Sequence, residues 1–160
     1  MGNATRHALR SRDHGPEHWR DVTRTGLMLC QKAKADPVVV FLFGAFHDTQ
    51  RRSDHRDPQH GPRAATLVNR LVGSGELDLT ERQSTLLQYA LFWHDAGRTH
   101  HNPTIGACWD ADRLMLIRVG MRVNPALLCT RWAQENPGSG WRIRDARDMR
   151  WRTIARLAAA

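Results

Sequence analysis

Residues 38–48 read Val-Val-Val-Phe-Leu-Phe-Gly-Ala-Phe-His-Asp, an apolar run that ends in an imidazole and a carboxylate. A segment this apolar is expected to be buried, and polar groups buried at its end must find hydrogen bonds or a metal ion. The pair His47-Asp48 therefore marks a candidate site. The dipeptide alone is weak evidence, because His-Asp pairs occur often by chance, and its weight depends on the other residues of the chain.

Four more candidate ligands lie on segments in which apolar residues recur at helical spacing: His18, His60, His94 and Asp112. Asp112, for instance, is followed on one predicted helix face by Met115, Leu116 and Val119. Any single histidine of this kind is more often a hydrogen-bonded core residue than a ligand. Five segments that each direct a polar group inward are better explained by a shared cation, because several buried imidazoles and carboxylates are costly without one.

The order of these residues resembles the HD-domain superfamily of metal-dependent phosphohydrolases, whose pattern is a His, a His-Asp pair and a distal Asp on separate helices. His18, His47-Asp48 and Asp112 match that pattern, and the likeness extends over about residues 14–119. Local matches include Arg51, three residues after Asp48, and the sequence Ala-Asp-Arg-Leu around Asp112. Within the superfamily the chain looks closest to small single-domain bacterial members.

The resemblance implies an all-α fold, a compact single-domain helical bundle of the HD-domain type. In that superfamily the His, the His-Asp pair and the distal Asp bind one divalent metal, and some members add two histidines for a second metal, which His60 and His94 match. The implied metal ligands are thus His18, His47, Asp48, His60, His94 and Asp112. Asp48 would contact both ions. Asp110, two residues before Asp112, is the alternative for the last ligand, or else a capping residue.

Imidazole and carboxylate donors suit divalent iron, manganese, cobalt, nickel, zinc or magnesium, and the sequence does not decide among these metals or between one ion and two. Such an ion lowers the pKa of a bound water, so that hydroxide becomes available to attack phosphorus. Asp48 and Arg51 are the expected catalytic residues. Arg51 and Arg52 are expected to bind the substrate phosphate through their guanidinium groups. His60 and His94 are either ligands of the second metal or donors to that phosphate.

These expectations favour a metal-dependent phosphohydrolase that acts on a nucleotide or another small phosphate ester. One alternative is a non-catalytic metal-containing protein that binds a nucleotide or nucleic acid. A less favoured alternative is a two-iron oxygenase of the same fold. The sequence does not identify the substrate or the oligomeric state.

The charge of the chain favours an anionic partner, because its formal net charge is +8. A small nucleotide-like substrate is preferred over nucleic acid, since no nucleic-acid-binding motif occurs. Arginines are dense in residues 137–160, whose composition differs from that of the domain predicted for residues 1–136. This tail favours a basic helix, either packed on the core or flexible.

The remaining signals concern environment and local structure. The three cysteines are an odd number in apolar surroundings, which argues against a disulfide framework. No apolar leader or membrane-spanning stretch occurs, so no membrane partner is expected and the predicted location is cytoplasmic.

Asp36-Pro37 and the segment from Thr80 to Gln83 predict helix starts. The charged loop 49–59 is expected to form the rim of the pocket.

Overall fold

The computed structural model describes residues 3–140, and within them the chain forms helices and no strand. The α-helices are α1 (Asn3–Arg10), α2 (Pro16–Ala33), α3 (Pro37–Phe46), α4 (His60–Gly73), α5 (Glu81–Trp93), α6 (Pro103–Leu114) and α7 (Arg131–Glu135). Two short 3₁₀ helices cover Met115–Val119 and Pro125–Leu127. The predicted all-α, single-domain bundle is confirmed. The predicted basic tail lies almost wholly outside the described residues, and the boundary after residue 136 stays a prediction.

Both helix starts predicted from the sequence are confirmed. Asp36 precedes α3, and its carboxylate accepts hydrogen bonds from the backbone N–H groups of Val38 (2.9 Å) and Val39 (3.2 Å). At the start of α5, Thr80 and Gln83 form a capping box in which each side chain accepts from the backbone N–H of the other. These contacts satisfy N–H groups that have no partner inside a helix, so they fix where α3 and α5 begin.

Helix α3 is the central element of the bundle, because it packs against α2, α5 and α6. Its residues Val39, Val40 and Phe43 are at most 1% exposed. The burial expected from the apolar run is therefore confirmed. As a consequence, the C-terminal end of α3 delivers His47 and Asp48 to the inside of the protein.

The backbones of α2 and α3 come very close at Gly44. A Cβ atom added to Gly44 would lie 2.7 Å from Thr23 Cα and 2.8 Å from Thr23 N, closer than packed atoms approach. Only glycine permits this crossing. Because His47 lies three residues beyond Gly44 and His18 five residues before Thr23, the crossing helps to bring the two histidines together.

Gly44→Ala is expected to destabilise the protein by about 1–3 kcal/mol, because the added methyl group overlaps the Thr23 backbone. The control is Gly73→Ala at the end of α4, where an added Cβ meets nothing within 4 Å. There alanine is expected to be neutral or to stabilise by up to roughly 0.5–1 kcal/mol through its better helix propensity. Urea denaturation measures both free energies of unfolding. Equal stabilities would contradict the close crossing of α2 and α3.

One expectation about α6 is wrong. The face that begins at Asp112 continues with buried Met115 and partly buried Leu116, but Val119 is 45% exposed. The reason is that α6 ends at Leu114 and the next residues form a 3₁₀ helix. With 3.0 instead of 3.6 residues per turn, a residue seven positions on no longer lies on the same face.

Helix α1, which no sequence signal predicted, lies beside the loop 49–59. Gln50 Nε2 donates to Thr5 Oγ1 at 3.1 Å, and Ser11 Oγ donates to Asp54 Oδ1 at 2.5 Å. The N-terminal segment thus braces the loop that follows the His-Asp pair.

The cysteines and the helix lengths agree with the sequence analysis. Cys30, Cys108 and Cys129 are free thiols, so no disulfide framework is present. Burial raises the pKa of the Cys30 thiol to about 12 and that of Cys129 to about 11, which keeps both protonated and unreactive at neutral pH. In residues 3–140, none of the helices combines the length and the apolar character needed to cross a bilayer.

Candidate metal centre

The Asp48 carboxylate lies at the centre of the site, and its side chain is only 3% exposed. Its two oxygens face different groups of side chains. One group, the Oδ2 group, consists of His14, His18, His47 and Asp112. The other, the Oδ1 group, consists of His60, His94 and Arg51.

The Oδ2 group brings the ends of three helices together. Asp48 Oδ2 is 3.5 Å from His47 Nε2, 3.6 Å from His18 Nε2 and 2.9 Å from His14 Nδ1. Asp112 Oδ1 lies 3.2 Å from His18 Nε2 and 3.8 Å from His47 Nε2. The two Nε2 atoms are themselves 3.2 Å apart. Four residues that the sequence analysis named as ligands of one ion, including Asp48 itself, therefore face a common point.

The Oδ1 group is equally compact. Asp48 Oδ1 is 3.3 Å from His60 Nε2, 3.9 Å from His94 Nε2 and 2.9 Å from Arg51 Nε. The Nε2 atoms of His60 and His94 are 2.7 Å apart. The structure thus brings His60 and His94, the two residues predicted for a second ion, to the opposite oxygen of the same carboxylate.

A glycine allows the two histidines of the Oδ1 group to meet. A Cβ added to Gly61 would lie 2.6 Å from the Leu91 carbonyl oxygen and 3.2 Å from His94 Cε1. The first turn of α4, which begins with His60, can therefore approach the last turn of α5, which His94 follows. A side chain at residue 61 would separate them.

Three of the histidines are oriented by the same local hydrogen bond. Nδ1 of His47, His60 and His94 lies 3.1, 2.5 and 2.7 Å from the carbonyl oxygen of the residue three positions earlier. Because a carbonyl only accepts, each Nδ1 carries the proton. The Nε2 atom of each ring then points toward Asp48, the orientation that metal-binding histidines adopt.

The protonation states of the centre follow from burial and from Asp48. Burial lowers the pKa of His94 to about 3 and also lowers the pKa of His18. Burial acts in the same direction on His60, but the hydrogen bond and charge of Asp48 outweigh it and raise the His60 pKa. For Asp48, burial opposes ionisation, yet the surrounding imidazoles, His47 first, hold its pKa well below the usual range. At pH 7 Asp48 is therefore ionised, and His18 and His94 are neutral imidazoles, each with one unprotonated nitrogen that can bind a cation.

This donor set fits a divalent cation. Three sets of side chains have their donor atoms within 4.8 Å of one another, namely His14, His18 and Asp48; His18, His47 and Asp112; and Asp48, His60 and His94. Nitrogen lone pairs that face each other over 2.7 Å and 3.2 Å repel unless a proton or a metal ion lies among them. Nδ1 of His18 is buried with no hydrogen-bond partner in the described part of the chain. The buried His/Asp cluster could therefore hold a metal ion, and the donors do not fix which metal.

The geometry separates the two carboxylates that the sequence left as alternatives. Asp112 faces His18 and His47, whereas Asp110 is turned away from the site. Asp110 accepts hydrogen bonds from the backbone N–H groups of Cys129 and Thr130, both at 2.7 Å, and from the Thr130 hydroxyl at 2.8 Å. Asp110 thus anchors the segment before α7, and Asp112 is the carboxylate available to an ion.

The two arginines predicted to bind phosphate differ in position. Arg51 reaches the centre, where its Nε donates to Asp48 Oδ1 and its Nη1 to the His55 carbonyl at 3.2 Å. Asp48 rather than Asp54 or Asp57 is therefore its acidic partner. Arg52 is exposed, and its backbone N–H donates to Asp57 Oδ2 at 2.9 Å.

Two functional candidates were missed by the sequence analysis. His14, half-buried, contacts Asp48 directly, and its carbonyl accepts from Trp19 Nε1 at 2.7 Å. The signal for it was its position four residues before His18, but α2 begins only at Pro16, so helical periodicity did not include it. Arg118 is the second: its Nε is buried with no hydrogen-bond partner in the described part of the chain. Burial lowers the pKa of its guanidinium, whereas the charges of Asp112, Asp13 and Asp48 favour the charged form.

Comparisons of the chain with protein-family models, with curated proteins and with solved structures found no match. The fold and the site define a class of protein, an all-α bundle with a buried His/Asp cluster that could bind metal. Any assignment narrower than that class is a proposal.

Asp112→Asn and Asp110→Asn are expected to affect different properties. The first should weaken ion binding, and the second should lower the stability of the protein. Asp112→Asn should weaken divalent-ion binding by at least roughly 10–100-fold, the loss seen when even an outer partner of a metal ligand is removed. Its effect on the stability of the metal-free protein should be small. Isothermal titration with Mn²⁺ or Zn²⁺ measures the ion affinity.

Asp110→Asn is the matched control and should leave ion binding unchanged. Its amide group would face N–H donors, so the free energy of unfolding should fall by about 1–3 kcal/mol in urea denaturation. A chain that loses the ion with Asp110→Asn and keeps it with Asp112→Asn would reverse the assignment of the two residues.

Proposed function

We propose that this protein is a metal-dependent phosphohydrolase that acts on a nucleotide or another small phosphate ester. The observation that carries the proposal is the Asp48 carboxylate, whose oxygens each face a separate group of imidazoles within 4 Å. The resemblance to HD-domain phosphohydrolases in residue order supports the same reading. A carboxylate shared between two sets of histidines is the arrangement expected for one ion or a pair of ions.

The ion would be held by His18, His47, Asp48 and Asp112, and a second ion by Asp48, His60 and His94. When bound, a divalent ion would acidify a water molecule and polarise a phosphoryl oxygen. The negative charges of Asp48 and Asp112 are a second reason to expect a bound cation. Asp48 and Asp112 would repel a phosphate ester, so a bound divalent cation would make the approach of such an anion to the buried carboxylates more favourable.

Arg51 and His14 are two residues at the centre that could contact the substrate directly. The Arg51 guanidinium contacts Asp48 through Nε and the His55 carbonyl through Nη1, and it can present Nη2 to a phosphate. His14 lies at the edge of the centre, with 21% of its side chain exposed and Nδ1 2.9 Å from Asp48. From there its ring lies within reach of a substrate that approaches the buried carboxylate. The positive net charge of the chain, +8, favours the approach of an anionic substrate.

Metal analysis of freshly purified protein, together with a nucleotide hydrolysis screen, tests the proposal. Hydrolysis that requires a divalent metal and disappears in His47→Ala and Asp48→Ala is the expected result. The matched control is His101→Ala, an exposed histidine outside the centre, which should retain full activity. Circular dichroism should show that the variants remain helical.

The other outcomes of the screen are equally informative. Bound metal without any hydrolysis would support a binding protein instead of an enzyme. Bound iron with redox-dependent spectra and no hydrolysis would support the two-iron oxygenase. A purified protein that binds no divalent ion under any loading condition would overturn the proposal.

Arg51→Ala is expected to reduce kcat/KM by about 10–150-fold while the metal content stays full. This corresponds to roughly 1.5–3 kcal/mol for one charge-assisted contact to the substrate phosphate. The control is Arg56→Ala, an exposed arginine of the same loop, which should behave like the wild type. Unchanged kinetics in Arg51→Ala at full metal content would remove Arg51 from substrate binding.

A further inference from the structure

The loop 49–59 connects the two halves of the centre, because it starts directly after Asp48 and ends directly before His60. Such a loop must be held at both ends if Asp48 and His60 are to keep their geometry. Its tip also contributes to the site, since the His55 carbonyl accepts from Arg51 Nη1. The positions of His60 and Arg51 in the Oδ1 group therefore depend on how the loop is closed.

Arg63, on the first turn of α4, closes this loop. Its Nε and Nη2 donate to the Gln50 carbonyl at 3.1 and 2.9 Å, at the beginning of the loop. The same Nη2 lies 2.5 Å from Asp57 Oδ2, near the end of the loop. One guanidinium group thus holds two segments that are seven residues apart in sequence, a geometry that the planar, multi-donor arginine side chain suits and lysine does not.

Asp57 transmits this contact to the imidazole of His60. Its carboxylate also accepts from the backbone N–H of Arg52 at 2.9 Å, which fixes the turn. Its carbonyl oxygen accepts from His60 Nδ1 at 2.5 Å and from the His60 backbone N–H at 3.1 Å. The Asp57 carbonyl therefore sets the direction of His60 Nε2 toward Asp48 Oδ1.

We propose that Arg63 is a positioning residue of the centre, which acts through Gln50 and Asp57 to fix His60 for the second ion. This inference rests on the proposed function in its two-ion form. Arg63 acts mainly on the Oδ1 side, because Asp57 contacts His60 directly. In the Oδ2 group, His18, His47 and Asp112 belong to the α2, α3 and α6 regions of the core. His14 is linked to the loop less directly, through Ser11 and Asp54. An ordinary surface ion pair would change stability slightly and ion binding not at all.

Titration of the metal-free full chain with Mn²⁺ by calorimetry tests the inference. The wild type should bind two ions. In Arg63→Gln the second ion should bind roughly 10–100-fold more weakly, the usual cost of removing a partner that orients a metal-binding histidine, while the first ion binds as in the wild type. Arg63→Lys, which keeps the charge but cannot bridge both partners, should recover only part of the loss.

Arg70→Gln, an exposed arginine further along α4, is the matched control and should bind both ions normally. Asp57→Asn removes the negative partner of the same Arg63–Asp57 ion pair. It should also weaken the binding of the second ion selectively. The double variant Asp57→Asn with Arg63→Gln should lose less than the sum of the single variants, because both remove one shared contact. If Arg63→Gln fails to fold, Asp57→Asn and Arg63→Lys carry the test.

Equal weakening of both ions, or no weakening, in the Arg63 and Asp57 variants would overturn the positioning role. A wild type that binds only one ion would overturn it as well, yet leave the one-ion form of the proposed function standing. A wild type that binds none would overturn both proposals.

Discussion

The buried charge of Asp48 is the constraint on which the rest of the structure depends. The residue is 2% exposed, and an uncompensated carboxylate at such a depth costs several kcal/mol. Its oxygens are instead met by Arg51 and by imidazoles that come from α2 and the segment before it, from the end of α3, and from the facing ends of α4 and α5. The helices have to be arranged so that these ends meet at one point. That requirement is met by the close crossing at Gly44 and the short approach at Gly61, where any side chain would force the facing helices apart.

Local hydrogen bonds orient the histidine rings, and tertiary packing brings them together. His47, His60 and His94 each donate from Nδ1 to the carbonyl three residues earlier, so the ring direction is fixed within a single turn of chain. Tertiary packing then needs only to bring the helix ends together. This division makes the centre robust, because small shifts of a helix move the ring without changing which nitrogen carries the proton. It also leaves Nε2 of each ring as the nitrogen that faces Asp48.

Much of the fold could be predicted, because the relevant signals are local. The apolar run before His47, the Asp36 cap and the Thr80 capping box each depend on a few adjacent residues, and the structure has all three. Val119 was misplaced because the change from α to 3₁₀ geometry after Leu114 has no clear sequence signal. In the site, residues that follow helical periodicity were found. His14 was not, because it precedes α2 and meets Asp48 through tertiary packing alone.

The two oxygens of Asp48 are supported by different kinds of structure, and this difference has a consequence for function. The Oδ2 group is attached largely to helices whose buried faces form the core, so its geometry is as stable as the fold. In the Oδ1 group, His94 follows α5, but His60 and Arg51 depend on the loop 49–59, which is held by hydrogen bonds and an ion pair in partly exposed positions. Loops open at a lower free energy than core helices. The loop side of the centre should therefore open at a lower free energy than the side formed by α2, α3 and α6. Under the proposed two-ion function, the loop would then be the part of the chain that couples second-ion binding to substrate binding.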